Sequence, residues 1–132
     1  MLNEIRDKLE ALIKDEEFIK KYGVIEEILY GTAHTHEASK PWNYIVFNKE
    51  KFKKGGTSNT DLTYYWNVAI VHEEYIPEGL EEAVIDKILE IKGLRLADGD
   101  MPIDYLTKGE SNMVVELLRI SFVKTKKRCD VL

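Results

Sequence analysis

Leu62-Thr63-Tyr64-Tyr65-Trp66-Asn67-Val68-Ala69-Ile70-Val71, followed across Pro77 by Leu80, Val84, Ile88 and Ile91 and closed by Gly93, carries more architectural information than any other part of the chain. Its even positions are all large and apolar (Leu62, Tyr64, Trp66, Val68, Ile70), while the odd ones include Thr63, Asn67 and Ala69. That period of two is the pattern of a strand with one face in a core. Pro77 suits the first turn of a helix, where a missing N–H is no loss, and the apolar residues after it repeat at helical spacing. Gly93 is placed to cap that helix in a left-handed conformation, with Leu94 folding back. The unit expected is a central strand that delivers its chain to a helix lying on the same sheet.

Moving toward the N-terminus, Asn3 is a capping residue for a first helix over about residues 3 to 21, with Ile5, Leu9, Leu12, Ile13 and Phe18 as its apolar stripe. Lys20 and Lys21 complement its dipole and Gly23 ends it. Val24 to Tyr30, β-branched at its start and bounded by Gly31, favours a strand over further helix. Thr32 to Lys40 is polar. Pro41 biases Lys40 toward an extended backbone leading into a short strand, Trp42-Asn43-Tyr44-Ile45-Val46-Phe47. Asn48 to Thr60 is polar, basic and glycine-bearing, which predicts a long loop or mobile arm ordered by a partner.

Toward the C-terminus, Leu94-Arg95-Leu96 predicts a brief edge strand and Asp98-Gly99-Asp100 a turn. Met101 to Thr107 predicts a strand that Pro102 confines to an edge, joined through a hairpin connection at Lys108 to Asn112 to a last strand over Met113 to Thr125. In that strand Leu118, Ile120 and Phe122 share one face, and Arg119, Ser121 and Val123 the other. Upstream, Val114, Val115, Leu117 and Leu118 are apolar on both sides and Glu116 falls on the apolar face. This requires either a bulge or burial of both faces. The fold class expected is α+β: an antiparallel or mixed sheet with two helices packed on one face, in a single domain over residues 1–125 followed by a disordered basic tail over 126–132.

The 132 residues suffice for one domain with a core that needs no disulfide or metal staple, and an apolar fraction of 44% excludes a mostly disordered chain. No stretch approaches the roughly 20 apolar residues of a membrane span, and the first residues lack the layout of a secretion signal, so work in a cytoplasm, or export within an assembly, is expected. A single Cys129 permits no internal disulfide. The net charge of −5 disfavours nucleic-acid binding through bulk charge, although charges are segregated. Lys49, Lys51, Lys53 and Lys54 form one basic cluster and Lys124, Lys126, Lys127 and Arg128 another, while acids crowd residues 73 to 90.

Residues able to do chemistry are sparse. His34-Thr35-His36 with Glu37 would point two imidazoles the same way in an extended segment, and His72-Glu73 could complete a metal site. No HExxH or CxxC spacing accompanies them, and exposed loop histidines are the plainer reading. Glu116 could be a carboxyl of raised pKa, or simply pair with a base or face another subunit. Gly55-Gly56 belongs to no phosphate-binding motif, and Ser39, Ser58, Ser111 and Ser121 lie in no nucleophile elbow. Trp42, Tyr44, Tyr64, Tyr65 and Trp66 could stack on single-stranded nucleic acid, but packing within the sheet accounts for them. No catalytic, metal or cofactor residue is assigned.

The N-terminal helix, Trp42 to Phe47 after a proline, the long polar loop, Tyr65-Trp66-Asn67-Val68-Ala69-Ile70 running into Pro77 and a second helix, and Met113-Val114-Val115-Glu116 through Ile120-Ser121-Phe122-Val123-Lys124 together resemble the tail terminator, or tail-completion, proteins. These belong to tailed bacteriophages, defective prophages and contractile bacteriocins, and the resemblance spans nearly the whole chain. It implies an α+β fold, no catalytic residues, and a homo-oligomeric ring, usually a hexamer. That ring ends polymerisation of the tail tube and offers the surface joining the head, with the tail tube protein and a head–tail connector or neck protein as partners. The location implied is the virion tail or neck, assembled in the host cytoplasm. On this reading Lys51, Lys53, Lys54, Glu116 and Lys124 are the interface candidates. The competing expectations are a small metal-dependent enzyme built on His34, His36, His72 and Glu73, or an adaptor domain that binds a protein through its sheet.

Overall fold

The structure is a computed structural model in which residues 1–33, 40–54, 61–109 and 111–126 are described. Its elements are α1 (Leu2–Lys14), α2 (Glu16–Tyr22), β1 (Glu27–Tyr30), β2 (Tyr44–Lys54), β3 (Leu62–Glu73), α3 (Leu80–Ile88), β4 (Arg95–Leu96), β5 (Ile103–Thr107) and β6 (Val114–Lys126). The class is α+β, with three helices and one mostly antiparallel six-stranded sheet. Along the sheet the order is β1-β2-β3-β6-β4, and β5 also pairs with β6. Only β1 and β2 run parallel.

β3 is the central strand the alternation predicted. It pairs with β2 over Tyr44–Lys54 on one side and with β6 over Val115–Lys126 on the other. Its even residues Trp66, Val68 and Ile70 join Ile45 and Phe47 of β2 and Leu118, Ile120 and Phe122 of β6 in one core cluster. Ile5, Leu9 and Leu12 of α1, Phe18 of α2, and Leu80, Val84 and Ile88 of α3 complete it. Burying these side chains, each contributing about 1.5–3 kcal/mol, is what holds helices to sheet. A second, smaller cluster of Leu29, Tyr44, Val46, Val71 and Val115 contains odd-numbered β3 and β6 residues. The two-sided apolar stretch of β6 therefore reflects burial on both faces; its register with β3 runs without a break, so there is no bulge at Glu116.

Four expectations are corrected. The first helix is two, because Asp15 is extended (φ −67°, ψ 124°) and its side chain accepts the Glu17 N–H at 3.1 Å, capping α2 and breaking the stripe. Asn3 is not the cap of α1, which starts at Leu2 with Met1 as N-cap. The helix after Pro77 begins three residues later, at Leu80, whose N–H donates to the Pro77 carbonyl at 3.0 Å, and it ends at Ile88 with Leu89 as its C-cap, so neither Ile91 nor a Gly93 cap belongs to it. Gly79 precedes it at φ +91°, and a Cβ there would lie 3.2 Å from the Tyr22 hydroxyl, so both backbone and space call for glycine. Finally, the loop over 48 to 60 is strand as far as Lys54, and β3 has begun by Leu62. Gly55 to Thr60 lie outside the described residues, as do His34 to Ser39, Cys129 and the tail from residue 127; Lys126 belongs to β6.

Candidate functional site

The unexpected length of β2 creates the most distinctive surface of the molecule. From Lys49 to Lys54 every residue of β2 is exposed, on both faces of the strand, although the β3 and β6 residues across from it include the buried Thr63, Trp66, Phe122 and Val123. It remains a strand by pairing with Leu62–Trp66, and β3 in turn pairs there with Phe122–Lys126 of β6. The result is a three-stranded arm. β1 pairs with β2 only over Tyr44–Phe47, and among the described residues no strand pairs with the outer edge of the arm beyond it. A shift of register between Lys49 and Lys51 places Glu50 at a bulge, where its carboxylate accepts the Ser121 hydroxyl at 2.6 Å.

Opposed residues of paired strands point to the same face, so register sorts the arm's side chains. One face carries Lys49, Phe52 and Lys54 with Tyr64, Trp66 and Lys124. Phe52 meets Tyr64 edge-on at 4.9 Å, and Tyr64 stacks on Trp66 at 5.9 Å. Between this aromatic run and the first turn of α1 lie two adjoining hollows of about 430 and 440 Å³, which share Met1, Tyr64 and Trp66. Lys49 and Phe52 border one, and Lys124 and Glu4 the other. The other face carries Lys51 and Lys53 with Tyr65 and Thr63; the Lys51 ammonium sits 4.7 Å from the centre of the Tyr65 ring. The lysines among the interface candidates are thus divided: Lys54 shares its face with Lys124, while Lys51 and Lys53 look the opposite way.

Glu116 lies at the far end of β6 from the arm and does not join these lysines. It pairs in register with His72, and its Oε1 accepts the Ile76 N–H at 3.1 Å, holding the chain as it leaves β3 for α3. This is the partner that the sequence left open for a carboxylate on an apolar face.

The residues expected for a metal are also dispersed. His34, His36 and Glu37 lie outside the described residues. His72 and Glu73, being consecutive in β3, project to opposite faces; the His72 Nδ1 is 2.9 Å from the Glu73 carbonyl oxygen. The Glu73 carboxylate is committed elsewhere. Its Oε1 accepts the Lys108 ammonium at 2.5 Å and the Trp42 N–H at 2.9 Å, and these two bonds hold its pKa below the ordinary carboxylate value. Lys108 donates as well to the Lys40 carbonyl at 3.1 Å and lies 5.8 Å from the Trp42 ring centre. Among the described residues no group of three His, Cys, Asp or Glu could hold a metal ion. No helix there is long and apolar enough to cross a membrane.

A second surface escaped the sequence reading. All five residues of β5 are exposed, and with Met101, Met113 and Val114 nearby, Ile103, Tyr105 and Leu106 expose large apolar side chains, Tyr105 to 65%. Among the described residues β5 pairs only with β6, on one side. The acids Asp98, Asp100 and Asp104 flank it and are exposed; Asp104 is ion-paired with Arg119. The alternation signalled a strand, but an edge strand with apolar residues turned to water has no mark of its own in sequence.

No protein-family model matches this chain, and no curated protein matches it.

Proposed function

We propose that this chain is a structural subunit of a phage tail, or of a phage-derived particle, that closes into a ring on the tail tube. The ring ends polymerisation of the tube and presents the surface to which a head–tail connector or neck protein joins. The observation that carries the reading is the arm: a basic and aromatic end of the sheet whose β2 strand is exposed on both faces and, among the described residues, has no strand paired to its outer edge. A protein that acts on a small molecule gains nothing from such an edge; one that reaches neighbours in an assembly does.

In this reading all three helices cover one face of the sheet, and the ring is a homo-hexamer assembled in the bacterial host cytoplasm and carried in the virion tail or neck. Each subunit needs two different patches, since ring closure is head-to-tail. Lys51 and Lys53, on the face of the arm turned away from the aromatic groove, are the contacts assigned to the tube, which they would meet with both cationic charge and the Tyr65 ring. Growth of tail tubes in the presence of the purified chain is the test. Capping shortens and equalises the tubes, and unaltered lengths would remove the proposal.

A further inference from the structure

The groove at the base of the arm and the exposed β5 edge are complementary to each other and lie apart within one molecule. The groove at the base of the arm has an aromatic floor, Tyr64 and Trp66 extended by Phe52, and its face is rimmed by the cations Lys49, Lys54 and Lys124, with Glu4 its one acidic wall residue among those described. The β5 edge offers the converse, apolar side chains flanked by the acids Asp98 and Asp100, neither of which has an ion pair among the described residues. By register Ile103 lies opposite Leu118 and Tyr105 opposite Glu116, so these two project on the same side of the sheet as the groove. β5, however, pairs with the 114–118 end of β6, whereas the groove sits against the 122–124 end, on strands further along the sheet order.

From this we infer that the groove of one copy receives the β5 edge of a second copy, with Tyr105 and Ile103 against Tyr64, Trp66 and Phe52, and Asp98 and Asp100 against Lys49, Lys54 and Lys124. The occupant is a second copy because sign and character match on both sides. A strongly acidic partner would satisfy the lysines but leave β5 unexplained. Exposed apolar edge strands are a standing template for association, and here a defined receiver exists. The contact joins different patches, so it propagates head-to-tail and produces rings or filaments, never a closed two-fold dimer. This deepens the ring reading and rests on it for the number of copies at which the assembly closes; the contact itself stands on charge and shape.

Two charge-reversed variants test it without any tail tube. One carries Lys49→Glu, Lys54→Glu and Lys124→Glu; the other carries Asp98→Lys and Asp100→Lys. All five positions lack a core role, and circular dichroism checks that each variant folds. Sedimentation at millimolar concentration and low salt is expected to show wild-type species larger than a dimer. Each variant alone is expected to associate about 100-fold more weakly, because like charges now meet across the contact. Mixed in equal amounts, the two variants restore both contacts in alternation and recover wild-type assembly. A wild type that sediments as a monomer, reversed variants that assemble as well as wild type, or a mixture no larger than its components, overturns the inference. Assembly that behaves as described but fails to cap tubes leaves this contact standing and removes the tail function; capping without the charge-swap rescue does the reverse.

Discussion

Replacing Lys108 by methionine removes one cation from a junction of three segments. The Lys108 ammonium bonds the Glu73 carboxylate at the end of β3 and the Lys40 carbonyl before β2, and sits over Trp42, whose N–H shares the same carboxylate oxygen. Only about one fifth of each charged side chain faces water, 21% for Lys108 and 19% for Glu73. A hydrogen bond to a charged group contributes about 1.5–3 kcal/mol; partial exposure and screening bring the expected loss to about 1–2 kcal/mol. For a domain of this size that is about 3–8 °C in Tm. The pH dependence follows from the direction of the Glu73 shift. Folding lowers its pKa, so the stabilisation is complete above the unfolded value of about 4.3 and is lost as pH falls through the lower folded value. Thermal melts of wild type and K108M across pH 7 to pH 2 should therefore separate at neutral pH and converge in acid. Equal melting temperatures at pH 7, or a gap that persists at the acid end, would refute the reasoning. Lys108 directly follows β5, so the variant is also expected to loosen the edge strand.

Glu116→Leu strands the Ile76 N–H at the exit of β3 and should cost about 1–3 kcal/mol in urea unfolding, whereas Glu116→Gln, which keeps an acceptor oxygen, should recover most of it. Equal losses in the two variants would show that the bond is not the cause. Asp15→Ala removes the cap of α2 and should cost about 1 kcal/mol by the same measurement; an unchanged midpoint would mean that Phe18 packing alone fixes the helix.

The sequence disclosed most where burial imposes a period. The even residues of β3 and the stripe Leu80, Val84 and Ile88 identified strand and helix because each packs one face into the main core, although the helix ends at Ile88, short of Ile91 and Gly93. The arm was illegible for the same reason: Lys49-Glu50-Lys51-Phe52-Lys53-Lys54 is exposed on both faces, so no alternation is written into it, and tertiary pairing with β3 overrides its composition. The break between α1 and α2 did leave a signal, since Asp15-Glu16-Glu17 is a capping residue followed by an acidic first turn, but the continuous apolar stripe through Phe18 concealed it. For Glu116 the sequence showed the anomaly of a carboxylate on an apolar face without its partner, because a backbone N–H forty residues away cannot be read from side-chain types. The same holds for the pairing of groove and edge: charge clusters were visible, yet only register shows that Lys54 faces with Lys124 and away from Lys51.

Tube length measured by electron microscopy bears most directly on the claim that this chain works by capping an assembly. Tail tube protein polymerised with increasing amounts of the chain should give progressively shorter tubes with a ring of density at one end, and tubes grown with heat-denatured chain should match the untreated length. Tubes of unchanged length and bare ends at every ratio would contradict it.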